Sequence, residues 1–279
     1  MAPATVGSYV AQVRPFLVAH EGNGGDWMSL TARQVAVFVT GRAVRLRPRS
    51  LGVGVNALRA LLRWMWLEAM IAAPLADTIG SIAAPTGIGL PQALTTGQVS
   101  DLLAALGADG AVRRRDEAML ALMWRLGLCA GEVASLRLED IDWRGGVVVV
   151  RGKGDRLEQV PLPVDVGELI VTYLQRGRPV GRAHRQVFLA LRAPYRPLGA
   201  GAVSSVVARA LARAGISGPG AAHRLRHTAA CRVLAGGGGL VEAGQLLRHT
   251  SAAATAVYAK SDLAALAVLA RPWPVGASR

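Results

Sequence analysis

One run of β-branched residues interrupts a chain whose pattern is otherwise helical. The run reads Val147-Val-Val-Val-Arg-Gly-Lys-Gly-Asp155, and the alternating segment Leu157-Glu-Gln-Val-Pro-Leu162 follows it. Two such segments around a glycine-containing turn predict a β-hairpin. Most other segments repeat apolar residues every three or four positions, which is the spacing of one helix face. The sequence therefore predicts a mainly α fold with a small antiparallel β-sheet.

Helices are expected on both sides of a segment rich in proline and glycine. That segment, at positions 84–94, shows no clear periodicity, which is typical of a linker. We therefore predict a helical N-terminal domain at 1–84, a linker at 85–91 and a second domain at 92–279. The predicted helices lie at 8–20, 30–42, 51–71, 74–82, 97–107, 115–126, 164–176, 200–214, 222–235, 240–248, 251–258 and 261–270.

The charge of the chain favours a polyanionic partner. The 279 residues include 32 basic and 18 acidic side chains, which give a net charge of +14. A protein this basic is typical of nucleic-acid binding, although a genome bias toward arginine codons would raise the charge without any partner. Clustered arginines of the N-terminal region suit contact with a DNA backbone: Arg42, Arg45, Arg47, Arg49, Arg59 and Arg63. The alternative is a solvated face, with the neighbouring Trp64 and Trp66 in the core.

Cysteine content and hydropathy indicate the compartment. Cys129 and Cys231 are the only cysteines, which rules out a disulfide framework and fits a reducing cytoplasm. The N-terminal residues show no basic region followed by an apolar one, so no signal peptide is predicted. The most apolar stretch, 118–128, is too short to span a bilayer and contains Arg125. We expect a soluble cytoplasmic protein without a membrane partner.

Lysine is rare enough to be informative. Thirty of the 32 basic residues are arginine, and Lys153 and Lys260 are the exceptions. Lysine can donate a proton when its pKa falls, whereas arginine effectively cannot. Lys153 lies at the tip of the predicted hairpin, where it is either a proton donor or an ordinary solvated turn residue.

Four residues in the C-terminal part suggest phosphoryl chemistry. His223, Arg226, His249 and Tyr258 follow one another in that order, and the first two share a face of a predicted helix. A phenol can attack a phosphodiester if a base is near and positive charge surrounds the phosphate. The arginine would neutralise the phosphate, and the histidines would handle protons and hydrogen bonds.

A metal site is the competing interpretation of the histidines. Histidines four residues apart, such as His223 and His227, can chelate a metal, and His249 could be a third ligand. However, Arg224, Arg226 and Arg248 crowd the same segment, and no His-Glu-x-x-His motif is present. We therefore expect no metal. Each histidine taken alone could also be an ordinary helix residue.

Three segments resemble the tyrosine recombinases, the phage integrase and Xer-like family. They read RDEAMLALMWRLGLCAGEVASLRLEDIDW, VVVVRGKGDRLEQVPLP and HRLRHTAACRVLAGGGGLVEAGQLLRHTSAAATAVYAK. The likeness to the catalytic domain runs from about residue 90 to 274, and residues 5–82 resemble the helical core-binding domain of that family. The resemblance therefore covers nearly the whole chain.

The resemblance implies a role for each site residue. His223 would be a general base and Arg226 a phosphate ligand. Lys153 would protonate the 5′ oxygen, His249 would hydrogen-bond the phosphate, and Tyr258 would attack to form a 3′-phosphotyrosine. No cofactor and no small-molecule substrate are implied. The partner would be double-stranded DNA at a specific recombination site, bound by a homo-tetramer that exchanges strands through a Holliday junction.

The chain departs from the family pattern at Cys129. The pattern is Gly-Leu-Arg-x-x-Glu, and this chain has Gly127-Leu128-Cys129-Ala130-Gly131-Glu132. A neutral thiol cannot hold two phosphate oxygens, and losing one charged donor costs about 10²–10³ in rate. Arg125, one turn earlier, would have to reach past a glycine turn to replace it. A cysteine nucleophile is disfavoured because Tyr258 is present.

Three interpretations remain open. The chain is a site-specific recombinase with a weakened site, a DNA-binding protein with a recombinase fold that does not cut, or a decaying copy. The C-terminal residues 261–279 either dock on a neighbouring subunit, as in relatives, or pack on their own domain.

Overall fold

The computed structural model describes residues 3–22, 24–46, 48–80, 93–152, 156–179 and 184–248. The chain divides into two compact units, Met1–Ile88 and Gly89–Arg279. The described elements are helices and one three-stranded antiparallel sheet, which confirms the predicted fold class. No helix within the described residues has the length and apolar character needed to cross a bilayer.

Within its described residues, the N-terminal unit contains the helices α1 (Pro3–Gly22), α2 (Ala32–Ala43) and α3 (Pro48–Leu67). A reciprocal cap begins α2: the N–H of Thr31 donates to the Gln34 side chain (2.8 Å), and the Thr31 hydroxyl accepts from the Gln34 N–H (3.4 Å). The apolar faces of the helices meet in one core, whose members include Phe16, Val35, Leu58, Leu62 and Met65.

Two of the helices predicted for this unit differ from the structure. The third ends at Leu67 and not at residue 71, because Ala69 adopts a left-handed φ of 55° and the Met70 N–H turns back to the Met65 carbonyl (2.8 Å). The predicted helix at 74–82 was wrong within the described residues, where a single 3-10 turn, Leu75–Thr78, follows the proline. Proline fixes φ and lacks an N–H, so it favours this kind of short turn.

The C-terminal unit surrounds one buried helix. Seven apolar residues of α5 (Ala111–Leu126), all between positions 118 and 126, are buried, and the helix packs against α7 and α9. Its solvent-free position explains why the sequence there is apolar on more than one face. The other helices are α4 (Thr96–Ala104), α6 (Ala130–Ser135), α7 (Val164–Arg176), α8 (Ala200–Arg213), α9 (Ala221–Ala235) and α10 (Leu240–Leu246).

The sheet lies between α6 and α7 in the chain. Its strands are β1 (Ile141–Asp142), β2 (Val147–Arg151) and β3 (Leu157–Pro161), in that order and antiparallel. The predicted hairpin is confirmed by the β2–β3 pairing. Alternate valines of β2, Val148 and Val150, point into the core, as the period of two requires. The short strand β1 was not predicted.

Candidate active site

A left-handed glycine connects α5 to the site. Gly127 ends α5 with a φ of 65° and places Cys129 at the start of α6. A Cβ at this glycine would lie 2.8 Å from Leu247 Cδ2 and 3.5 Å from Ala229 Cβ. Both the backbone conformation and the close approach therefore require glycine here. The turn brings the end of α5 against α9 and the residues after α10.

Cys129 is the N-cap residue of α6. Its N–H donates to Glu132 Oε2 (2.6 Å), and its Sγ accepts from the Glu132 N–H (3.4 Å). Burial raises the pKa of the Cys129 thiol, and the Glu132 carboxylate raises it further, outweighing the nearby Arg226 guanidinium. The side chain is therefore a neutral thiol at pH 7 that caps a helix.

Glu132 is the acceptor at the centre of the site. The residue is 8% exposed and pairs with two arginines from distant parts of the unit. Arg226 Nη1 lies 3.2 Å from Glu132 Oε2, and Arg248 Nη2 lies 2.9 Å from the same oxygen. Arg248 Nε also donates to Glu132 Oε1 (3.4 Å). Buried charges are stable only when they are paired in this way.

Arg226 reaches into this cluster from α9. Its Nη1 donates to the Gly127 carbonyl (2.7 Å), and its Nη2 donates to the Leu247 carbonyl. The side chain is only 11% exposed. These contacts to three protein acceptors fix the plane of the guanidinium.

Arg248 is a site residue that the sequence did not reveal. It follows α10 with a left-handed φ of 54°, and its side chain is 4% exposed. In the sequence, Arg248 stands out only as one of several charges that disfavour a metal. The helix α10 ends at Leu246, two residues before the predicted end at 248, so Arg248 lies just past the helix, where glycine or asparagine is usual.

His223 lies one turn before Arg226 and is exposed. It lines an open cavity of about 640 Å³, whose wall also includes Cys129, Ala130, Ser204 and Ser205. The ring of His223 contacts that of His227 edge to face, with the centroids 4.8 Å apart. Cys129 and His223 thus line one cavity, and Arg226 pairs with Glu132, whose carboxylate also accepts from the Cys129 N–H.

The other three catalytic candidates, Lys153, His249 and Tyr258, lie outside the described residues. Within the part of the chain that the structure describes, no group of three or more potential ligands could hold a metal ion.

Arg125 pairs with an acidic residue of α7. Its guanidinium pairs with Asp165 of α7 (2.9 Å) and lies over the Trp124 ring, 5.4 Å from the centroid. These contacts engage Arg125 on α7, so in this arrangement it does not replace the missing arginine.

The N-terminal arginines differ in their surroundings. Arg42 donates to the Gln12 backbone and side chain (both 3.2 Å), and Arg59 donates to the Ile79 carbonyl. Arg45 is exposed. Exposed Arg63 pairs with Asp77 (3.1 Å). Arg47 lies outside the described residues, and the side chain of Arg49 is not described. Trp64 and Trp66 are each about half exposed rather than in the core.

Known proteins resemble most of this chain. The sequence model of the phage integrase family matches residues 92–264. Protein y4rA of Sinorhizobium fredii, classed as an integrase/recombinase, is 40% identical over 273 residues, which are 97% of this chain and 66% of that protein. The tyrosine recombinase XerD of Mycobacterium tuberculosis is 34% identical over 216 residues, 73% of this chain and 69% of XerD. The chain spans about two thirds of y4rA and 45% of y4rF, another Sinorhizobium fredii relative.

Solved structures share the fold. XerH recombinase bound to its palindromic difH substrate superposes with a TM-score of 0.70 at 19% identity, over 86% of this chain and 72% of that one. A lambda integrase dimer bound to a COC′ core site gives a TM-score of 0.70 at 16% identity, over 100% of this chain and 94% of that one.

Proposed function

The chain belongs to the phage integrase family, and on that premise we propose that it is a site-specific tyrosine recombinase whose cleavage step is weakened by Cys129. The observation that carries this proposal is the fixed guanidinium of Arg226, one helical turn along α9 from His223. His223 in turn lines an open cavity. A phosphodiester needs such a preorganised positive group where charge develops during transfer.

In the proposed reaction the Tyr258 phenol attacks the phosphorus of one DNA strand. His223 accepts the phenol proton, and Lys153 donates a proton to the departing 5′ oxygen. Arg226 and His249 stabilise the non-bridging oxygens. The bond broken is the phosphorus–5′-oxygen bond, and the bond formed is a 3′-phosphotyrosine. Attack by a 5′ hydroxyl reverses these steps, so no external energy source is required.

Cys129 weakens this reaction because a neutral thiol cannot bind a phosphate oxygen as a guanidinium does. The Cys129 side chain is also engaged, since its sulfur accepts from the first turn of α6. The loss of one preorganised donor predicts a cleavage rate lower by about 10²–10³. Binding of DNA depends on many phosphate contacts and should be much less affected.

A protein that binds DNA without cutting it is the second candidate function. The observation that favours it is the small number of donors left for a phosphate near Cys129: every N–H of the Arg248 guanidinium already has a protein acceptor. In that case the chain would occupy or pair recombination sites without forming a covalent intermediate.

The proposed partner is double-stranded DNA in the cytoplasm, bound by four copies at a pair of sites. The tetramer of lambda integrase on a Holliday junction supports this stoichiometry by its likeness to the chain, with a TM-score of 0.68 at 17% identity. Arg45 and Arg63 are exposed on the N-terminal unit and are proposed to contact the DNA backbone. Arg42 and Arg59 hold parts of that unit together and contribute less to binding.

The test is capture of a covalent protein–DNA adduct. The probe is a library of duplexes with randomised arms and a nick next to the scissile position. After cleavage, the short fragment that carries the new 5′ hydroxyl diffuses away, so the covalent adduct cannot be religated. Wild-type protein and Tyr258→Phe are incubated with it, denatured, and the attached DNA is sequenced.

A wild-type adduct that is absent from Tyr258→Phe supports the recombinase and also identifies its site. The non-cutting alternative requires sequence-specific binding by both proteins and an adduct with neither. Arg226→Lys is the matched variant for the phosphate contact, because it keeps the charge and loses the planar fork. It should bind DNA and form the adduct at least about 10-fold more slowly.

A further inference from the structure

We propose that Arg248 stands in for the arginine that is absent at position 129: it supplies the second positive charge of the Glu132 cluster and so positions Arg226. Its catalytic consequence rests on the proposed function, but the placement of the charge can be tested without catalysis.

The backbone conformation at position 248 does not favour an arginine. Its φ of 54° is left-handed, and its N–H donates to the Gln245 carbonyl (2.9 Å) to close the end of α10. Such a position favours glycine, because a Cβ there is strained. The side chain must therefore provide something that offsets this strain.

The guanidinium of Arg248 is fully engaged inside the protein. Nε donates to Glu132 Oε1 (3.4 Å), and Nη1 donates to the carbonyls of Leu246 (2.7 Å) and Leu126 (3.4 Å). Nη2 donates to the Gly127 carbonyl (3.1 Å) and to Glu132 Oε2 (2.9 Å). All five N–H groups thus have acceptors. Arg248 therefore acts through the cluster and does not itself bind DNA.

The charges of the cluster show what Arg248 adds. Arg226 and Glu132 alone would form a neutral pair, which would attract a phosphate only weakly. With Arg248 the three side chains carry a net charge of +1, and the Cys129 thiol is neutral. Arg248 also takes Glu132 Oε1 and shares Oε2, which leaves Arg226 less completely neutralised. Buried charges interact strongly at these distances because the local dielectric is low.

Position 129 and Arg248 both contact the carboxylate of Glu132. The Cys129 N–H and Arg248 Nη2 donate to the same oxygen of Glu132, at 2.6 and 2.9 Å. Arg248 also reaches the carbonyl of Gly127, two residues before Cys129. The Cys129 side chain itself lies beside Glu132, since its sulfur accepts from the Glu132 N–H (3.4 Å), so an arginine introduced at 129 would add a third guanidinium near one buried carboxylate. The two positions can carry one arginine between them, but not two without repulsion.

The test is a double-mutant cycle on the full chain, with the melting temperature as the readout. The proteins are wild type, Cys129→Arg, Arg248→Gly and the double variant. Cys129→Arg should lower the melting temperature by about 5 °C or more when Arg248 is present. In the Arg248→Gly background the same change should cost less than half as much. Effects that add to within about 1 °C overturn the proposal, because independent sites are additive.

A second pair of variants separates charge from packing. In the Cys129→Arg background, Arg248→Gln should raise the melting temperature because it removes the excess charge. Arg248→Lys keeps that charge and should not raise it. If both substitutions act alike, Arg248 has only a packing role and the proposal fails. The comparison holds even if the Arg248→Gly proteins fold poorly.

Adduct formation on the captured DNA site reports the catalytic consequence separately. The double variant Cys129→Arg/Arg248→Gly should exceed wild type by about 10²-fold, and Cys129→Arg alone should fall well short of it. Equal adduct formation by these two variants contradicts the proposal. If the stability coupling is found but no protein forms an adduct, the recombinase function fails while the placement of Arg248 stands.

Discussion

Removing the charge of Glu132 is the most direct perturbation of the site. Glu132→Gln keeps the shape of the side chain but leaves Arg226 and Arg248 without a counterion. Their side chains are only 11% and 4% exposed, so solvent cannot replace the carboxylate. Breaking a buried ion pair by removing one partner costs about 3–5 kcal/mol. The amide that replaces the carboxylate would also direct its N–H groups toward the N–H donors of the two arginines, which destabilises the folded protein further.

The assay is urea denaturation of the full chain, followed by circular dichroism. With a dependence of about 2–3 kcal/mol per molar urea, the expected loss moves the midpoint of the affected transition down by about 1–2 M. The decrease in the free energy of unfolding should persist in 0.5 M sodium chloride, because salt screens buried ion pairs weakly.

The matched control is Glu139→Gln. Glu139 also pairs with an arginine, Arg185 (3.2 Å), but its side chain is 42% exposed. An exposed pair contributes little because solvent screens it, so this variant should unfold nearly like wild type. If Glu132→Gln is no more destabilising than Glu139→Gln, the site is not held together by a buried charge cluster.

Three further outcomes are expected. Cys129→Ser should raise the free energy of unfolding by up to about 1 kcal/mol, since serine is a better N-cap than a thiol; a loss of stability would contradict the capping role. In a Cys231→Ala background, alkylation of Cys129 by iodoacetamide should still accelerate at pH 9, because burial and Glu132 raise the pKa of the thiol; a plateau below pH 8 would argue against this. Thr228→Val should cost about 1–3 kcal/mol in urea denaturation, because the buried hydroxyl accepts from the Leu94 N–H (2.8 Å); a cost below 0.5 kcal/mol would mean that this N–H finds another acceptor.

Long periodic segments were predictable from the sequence. The helix α5 was expected at 115–126 and is found at Ala111–Leu126, because its apolar residues recur with a helical period and glycines flank it. The hairpin was expected because valines and a glycine-containing turn leave few other folds. These elements are determined by local patterns of residues, and such patterns can be recognised in a single sequence.

The short helix α6 was not predicted. Its six residues are too few to show a period, and its N-cap is a cysteine, which is not a usual capping residue. The spacing from Cys129 to Glu132 is that of a capping box, but the family pattern drew attention to the missing arginine instead.

The ion cluster was beyond sequence reasoning for a different reason. Glu132 and Arg248 are 116 residues apart, and their contact depends on how α5, α9 and α10 pack. His223 and Arg226 were selected because they are close in sequence and match a motif. Arg248 belongs to no motif and was recognisable only after its backbone and acceptors were seen.

The carbonyl of Gly127 is a main-chain acceptor in the site, so no side-chain substitution can remove it. This oxygen accepts from Arg226 (2.7 Å) and from Arg248 (3.1 Å), and it belongs to the main chain. A change of codon at position 129 alters one donor of the site, but it leaves that acceptor and the turn around it in place. The contact that holds Arg226 is thus determined by the path of the backbone, and it does not depend on which side chain occupies position 129.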